Sequence, residues 1–170
     1  MTKAYLDTCI VSGLAKEDQP KVEQAALLEI LRLQKAGKIE LVTSPLVKEE
    51  IDRIPEKDRT RHEIIYNLLA DIPISKVSWT DSGLMLMGVG GGTRVDPLYS
   101  ELRSILPDEF DAQHIFQAIK NGACYFVTTD SRTILRYTNM IHDKFGIRFI
   151  RPSELAKALE DVKVDDHASE

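Results

Sequence analysis

The chain is poor in cysteine, with two, and in aromatic residues, at 6% with a single tryptophan. Its charge balance is acidic rather than basic. Each scarcity excludes something. Cys9 and Cys124 are too few for a disulfide framework and are not spaced as a C-x-x-C pair, so a reducing cytoplasm is the expected setting. Neither has a basic partner beside it in sequence, and both read as small core residues rather than nucleophiles. No stretch approaches the roughly 20 consecutive apolar residues of a membrane span, and the amino terminus lacks a signal-peptide core. With 27 acidic against 22 basic side chains and a net charge of -5, a uniformly basic nucleic-acid face is excluded, but a local Lys/Arg patch is not. Gly90-Gly91-Gly92 fits neither a phosphate-binding P-loop nor a dinucleotide fingerprint. Residues 82–97 therefore read as a connection before a helix opening near Asp96-Pro97.

What is present suffices for a single core. A chain of 170 residues, 43% hydrophobic, fits one domain. The pattern alternates strands and helices. Residues 4–6 read as a short strand, 21–36 as a helix carrying Val22, Ala25, Ala26, Leu28, Ile30 and Leu33, and 39–43 as a second strand. Ser44-Pro45 is an N-cap followed by proline, which opens a helix to Ile54. Pro55 ends it, and a further helix over 57–70 carries Ile64, Ile65, Leu68 and Leu69. Residues 72–79 read as an edge or irregular strand because of Pro73. Strands follow at 125–128 and 148–150. Strands separated by helices imply βαβ units and a mostly parallel sheet. The domain is expected to cover residues 1–160, with 161–170 a polar, disordered tail.

Two of these strands run into an aspartate, Asp7 and Asp130. In an open α/β sheet functional groups collect outside the carboxyl ends of the strands. Carboxylates gathered there repel one another unless a proton or a metal cation sits among them, which points to a hard divalent cation and to phosphodiester chemistry. At about 100° per residue, Leu46, Val47, Ile51 and Ile54 define an apolar arc that takes in Glu50 and leaves Lys48 and Glu49 outside. A carboxylate on the buried side of a helix is costly unless paired or cation-bound, so an internal salt bridge to an arginine and a site role stand level for Glu50. Asp108 reads as the N-cap of the helix bearing Asp111. His114 lies one turn beyond Asp111 on the same side; a partly buried, hydrogen-bonded histidine is the plainer reading, contact with substrate or ligand the other. Ser131, Arg132 and Thr133 read as the cap and start of a helix. Arg132, Arg136 and Lys144 fit phosphate contacts or a solvated helix face equally well.

In order and spacing, Asp7, Ser44-Pro45-Leu46-Val47-Lys48-Glu49-Glu50-Ile51, Asp111-Ala112 and Val127-Thr128-Thr129-Asp130 resemble a PIN domain, above all the VapC-type ribonuclease toxins and their stand-alone relatives. The resemblance runs from Asp7 to Pro152. It implies a three-layer α/β/α sandwich and a metal-dependent endoribonuclease with catalytic Asp7, Glu50, Asp111 and Asp130. Mg²⁺ or Mn²⁺ would be held by Asp7 and Asp111, with Asp130 binding directly or through water. Glu50 would orient or deprotonate the attacking water. Thr8, Thr128, Ser131 and His114 would contact substrate or support the ligands. RNA is the implied substrate, an antitoxin protein and a second copy of the chain are the implied partners, and the apolar residues of helices 20–36 or 57–70 are the expected dimer surface. Residues 72–107 are longer than in compact members. A PIN-fold protein that binds RNA or a partner without cutting is the rival reading. A haloacid-dehalogenase-type phosphotransferase is set aside, since it wants a second aspartate where Cys9 stands.

Overall fold

The structure, a computed structural model, describes residues 1–69, 85–87 and 93–167. The chain runs β1 (Thr2–Leu6), α1 (Thr8–Lys16), α2 (Lys21–Lys35), β2 (Ile39–Val42), α3 (Pro45–Asp52), α4 (Glu56–Leu69), β3 (Met85–Met87), β4 (Thr93–Val95), α5 (Pro97–Ile105), α6 (Glu109–Lys120), β5 (Tyr125–Val127), α7 (Thr138–Phe145), β6 (Arg148–Ile150) and α8 (Pro152–His167). The main sheet has the order β2-β1-β5-β6, and every pairing in it is parallel. Among the described residues, no helix is long and apolar enough to cross a membrane.

Successive strand side chains point to opposite faces, and here each face meets its own helical layer. Ala4, Leu6, Ile39, Leu41, Val127 and Ile150 pack with residues of α1, α2, α3, α4 and α8. Tyr5, Val42, Phe126 and Phe149 pack with α5, α6 and α7. Parallel strands buried on both faces need continuous apolar runs, and the buried portions, Ala4-Tyr5-Leu6, Leu41-Val42, Phe126-Val127 and Phe149-Ile150, are apolar, while Lys3 and Glu40 pair across the ladder at the outer end. The expected α/β/α sandwich follows.

Several local expectations change. Helix α1 fills a stretch to which the sequence reading assigned no element, and Gly13 in its middle weakens the helical pattern there. A Cβ at Gly13 would overlap the Gln19 side chain, so this glycine gives up helix propensity for close packing. On α2 the buried residues are Glu23, Leu27, Ile30 and Leu33, whereas Val22 and Leu28 are exposed. The apolar-only reading missed this face because Glu23 is part of it. Its carboxylate accepts the backbone N–H of Ser153 at 2.9 Å and the Ser153 hydroxyl at 2.8 Å, tying α2 to the first turn of α8, where anionic groups are favourable. Glu23→Ala is expected to destabilise the fold by about 2 kcal/mol, read as a Tm lower by about 4–8 °C in thermal unfolding. An unchanged Tm would show that the cap contributes nothing.

Cys124 is exposed, which corrects its reading as a core residue; it sits at the solvent-facing entry to β5. Within the glycine-rich 82–97 stretch, β3 and β4 pair antiparallel, so part of it is a ladder rather than a plain connection. The proposed strand at 72–79 and Gly90-Gly91-Gly92 lie outside the described residues. Helix α8 continues to His167 and so takes in most of the segment expected to be a disordered tail.

Candidate active site

The central position of β1 decides the site. Its neighbours are β2 on one side and β5 on the other, and the crevice outside the carboxyl ends of β1 and β5 lies where the strand order reverses. The ladder extends one step beyond the strands: the Asp7 N–H donates to Val127 O at 3.1 Å and the Thr128 N–H to Ile150 O at 3.0 Å. Backbone pairing therefore fixes Asp7 and Thr128 side by side. Asp7 is buried, and its Oδ2 accepts the Thr128 hydroxyl at 2.7 Å. That hydroxyl accepts the Asp130 N–H at 3.1 Å and lies 3.1 Å from Cys9 Sγ. With the Thr128 proton committed to Asp7, the Cys9 thiol is the donor. Burial raises the Asp7 pKa, and the His114 charge with bonds from Cys9 and Thr128 only partly offsets it. Burial also pushes the Cys9 thiol up, consistent with an unreactive packing residue rather than a nucleophile.

Asp111, half-buried on the first turn of α6, has its pKa raised to about 6. Burial is the main cause, a bond from Thr133 opposes it, and the charges of Asp7, Asp108 and Asp130 add to it. Asp111 is thus the carboxyl that registers the crowding. Asp108 itself is the N-cap, with Oδ1 accepting from Phe110 N at 2.8 Å and Asp111 N at 3.2 Å, as expected.

Asp130 is held differently. Its Oδ1 accepts the N–H groups of Arg132 and Thr133, each at 2.8 Å, and its Oδ2 accepts the Thr133 hydroxyl at 2.9 Å. Partial burial is outweighed by these bonds and its pKa falls. The expected helix start at Ser131 is not there: residues 131–134 form turns capped by Asp130, a 3-10 turn follows at Leu135–Tyr137, and α7 begins only at Thr138. Ser131 is exposed at the rim.

Glu50 and His114 form a second unit. His114 Nε2 lies 2.9 Å from Glu50 Oε2, with exposures of 2% and 26%, so the partner of Glu50 is this histidine and not an arginine. The Thr8 hydroxyl donates to the same Glu50 oxygen. On the far side His114 Nδ1 lies 2.7 Å from the Tyr5 hydroxyl, which is 2.6 Å from Ser44 Oγ. Burial works against a charge on His114, but the Glu50 bond and the charges of Asp7, Glu50 and Asp111 win and raise its pKa. Burial likewise opposes ionisation of Glu50, and the His114 bond and charge, the Thr8 bond and Arg53 overcome it, so its pKa falls. With the Tyr5 hydroxyl donating to Ser44, His114 Nδ1 donates to Tyr5 and Nε2 faces Glu50, an arrangement in which each partner favours the charged form of the other. The buried, hydrogen-bonded reading of His114 is the one found.

Of the three cations considered for phosphate contact, Lys144 is paired with Glu101 at 2.5 Å and Arg136 lies over the Tyr137 ring. Arg132 alone is not engaged in either way. Sequence reasoning placed Thr133 in a helix start, whereas its N–H and hydroxyl close the Asp130 turn, which its three-residue offset from Asp130 signals. It passed over Phe110, an exposed aromatic beside Asp111 with Arg53 4.5 Å from its ring centroid. Among the described residues no three His, Cys, Asp or Glu side chains are gathered as a ready metal cage.

No family model matches the chain, and no curated protein matches it. Among solved structures it is similar to a chain of the crystal structure of VapBC2 from Rickettsia felis bound to a DNA fragment from their promoter, with a TM-score of 0.55 and 15% identity. The match covers 88% of this chain and 98% of that one. At this identity the likeness is one of fold.

Proposed function

We propose that the chain is a metal-dependent endoribonuclease of the PIN type, hydrolysing RNA at the crevice of Asp7, Glu50, Asp111 and Asp130. The observation that carries this reading is the placement of Asp7 and Asp130 on the same Thr128 hydroxyl at the switch point of a parallel sheet; burial first, and then the charges of Asp7, Asp108 and Asp130, raise the Asp111 pKa beside them. Burying like charges together is unfavourable unless a cation joins them. Asp7 and Asp111 would hold Mg²⁺ or Mn²⁺, with Asp130 reached through water because its oxygens already serve its own turn. Such an ion, when bound, neutralises phosphate charge and makes a water acidic enough to attack. The Thr128 hydroxyl keeps Asp7 in a fixed rotamer. Glu50, kept ionised by His114 and Thr8, accepts a hydrogen bond from the attacking water; its lowered pKa suits it to orient that water more than to retain its proton. The exposed Phe110 face offers a stacking surface for an unpaired base.

The fold likeness to a VapBC2 chain supports a VapC-type toxin that works with an antitoxin, and the exposed Val22, Leu28 and Ile64 on α2 and α4 supply apolar area for a second copy. One observation favours the rival, non-cleaving module: Asp130 is spent on capping. Incubating the protein with structured and single-stranded RNAs in Mg²⁺, Mn²⁺ or EDTA separates the two. Cleavage confined to the metal-containing reactions is expected; binding without any cut would leave the module.

A further inference from the structure

A pocket adjoins the carboxylate site at Asp130, and the proposed chemistry uses none of its cations. It lies between α1, the chain entering α2, the turn after Asp130 and the end of β6, with a volume of about 360 Å³. Lys16, Arg132 and Arg151 line it together with Ser12, Ser131 and Thr129. Two carboxylates, Asp18 and Asp130, also border it, and Asp130 is occupied by the amides of its own turn. Among the described residues none of the three cations is in an ion pair. Lys16 and Arg132 are exposed and Arg151 is half-buried. What sets these three apart is their convergence on one concave site, since they come from α1, the turn after Asp130 and the end of β6. Beneath them the pocket floor is rigid: Gln19 is wedged against Gly13 and its amide donates to the Ile10 carbonyl.

We propose that this pocket seats a backbone phosphate of a single-stranded RNA flanking the bond to be cut, so that Lys16, Arg132 and Arg151 guide the strand into the carboxylate crevice. The assignment rests on the nuclease reading for its ligand. Two points favour a strand over a small phosphorylated molecule. The pocket is open, and two of its lining residues, Cys9 and Asp130, bond to the Thr128 hydroxyl that holds Asp7. The hydroxyls of Ser12 and Ser131 are neutral donors suited to phosphate oxygens or a ribose. The chain's acidic surface elsewhere would repel the strand, confining attraction to this side.

The test is equilibrium binding of a short fluorescent oligoribonucleotide to the full chain in EDTA, across a salt series. Lys16→Gln/Arg132→Gln removes two exposed pocket charges. Lys35→Gln/Lys38→Gln removes two exposed charges at the opposite end of the sheet, where β2 begins. The pocket variant is expected to bind on the order of fivefold more weakly and to lower the log–log salt slope by about 0.7 per lost contact, while the control keeps the wild-type slope. Equal losses in both variants would overturn the assignment in favour of general charge. AMP or inorganic phosphate binding as tightly as the oligonucleotide would overturn it in favour of a small ligand. A pocket-dependent slope without cleavage in Mg²⁺ or Mn²⁺ keeps the RNA site and removes the nuclease; cleavage with an unchanged slope does the reverse.

Discussion

Asp7→Asn and Asp111→Asn are each expected to abolish metal-dependent RNA cleavage, by a factor on the order of 10³ or more, while the fold survives. Losing a carboxylate ligand removes a charged oxygen from the ion and several kcal/mol of transition-state stabilisation, and each ~1.4 kcal/mol is about tenfold in rate. Stability should move the other way or not at all. Asp7 is buried with a raised pKa, and Asp111 is raised by burial and by its acidic neighbours. In both cases the folded protein disfavours the ionised form at neutral pH, so the neutral, nearly isosteric asparagine relieves repulsion. In Asp7→Asn the side-chain amide carbonyl still offers the Thr128 hydroxyl an acceptor. Thermal unfolding in EDTA should therefore give each variant a Tm equal to or above that of the wild type. In Mg²⁺ or Mn²⁺ the wild type should gain Tm and the variants should gain less. Cleavage that persists in both variants from identical preparations would sink the site assignment and point to a contaminating nuclease.

The second large effect concerns the Glu50–His114 unit. His114→Ala is expected to destabilise the protein by about 3 kcal/mol, the low end for removing one partner of a buried pair, because Glu50 is partly solvated. For a chain of this size that is a Tm lower by roughly 6–12 °C. The loss has three parts: the Glu50 bond at 2.9 Å, the Tyr5 bond at 2.7 Å and a cavity where the imidazole packs edge-on against the Tyr5 ring. A double-mutant cycle with Glu50→Gln isolates the first, and a coupling of about 1–3 kcal/mol is expected; strict additivity would deny that the two side chains interact. The pH dependence has a definite sign. His114 titrates above its unfolded value, so its contribution is full below that value and is lost as pH rises through the elevated folded pKa. Glu50 titrates below its unfolded value, so its contribution is full above that value and is lost as pH falls through the depressed one. Between them lies a plateau, which His114→Ala should flatten on the alkaline side.

Much of this site was legible in the chain as written. Asp7 and Asp130 follow apolar runs that had to be buried strands, and the Ser44-Pro45 start fixed the phase of the helix that turns Glu50 inward. Asp108 capping α6 came directly from its place after Pro107. The misreadings share a cause. Helix α1 was missed at Gly13 and the buried face of α2 at Glu23, because in each the local pattern yields to a partner outside the helix: Gln19 on Gly13, Ser153 on Glu23. Asp130 looked like a free ligand because Ser131-Arg132-Thr133 read as a helix start of its own, although Asp130 with Thr133 three residues on is the pattern of a turn that uses both carboxylate oxygens.

The sequence by itself determined the alternation of strands and helices, the mostly parallel sheet and the arrival of Asp7 and Asp130 at strand ends, since these depend on periodicity and on short-range capping chemistry; the sandwich and the full acid set were implied only by the family resemblance. Only the tertiary structure decided how those acids differ. It placed Asp7 and Asp111 in crowded, poorly solvated positions, gave Glu50 a buried histidine as partner, and left Lys16, Arg132 and Arg151 together beside them. Burial and charge neighbourhood are set by residues far apart in the chain, and they control the protonation on which the chemistry depends.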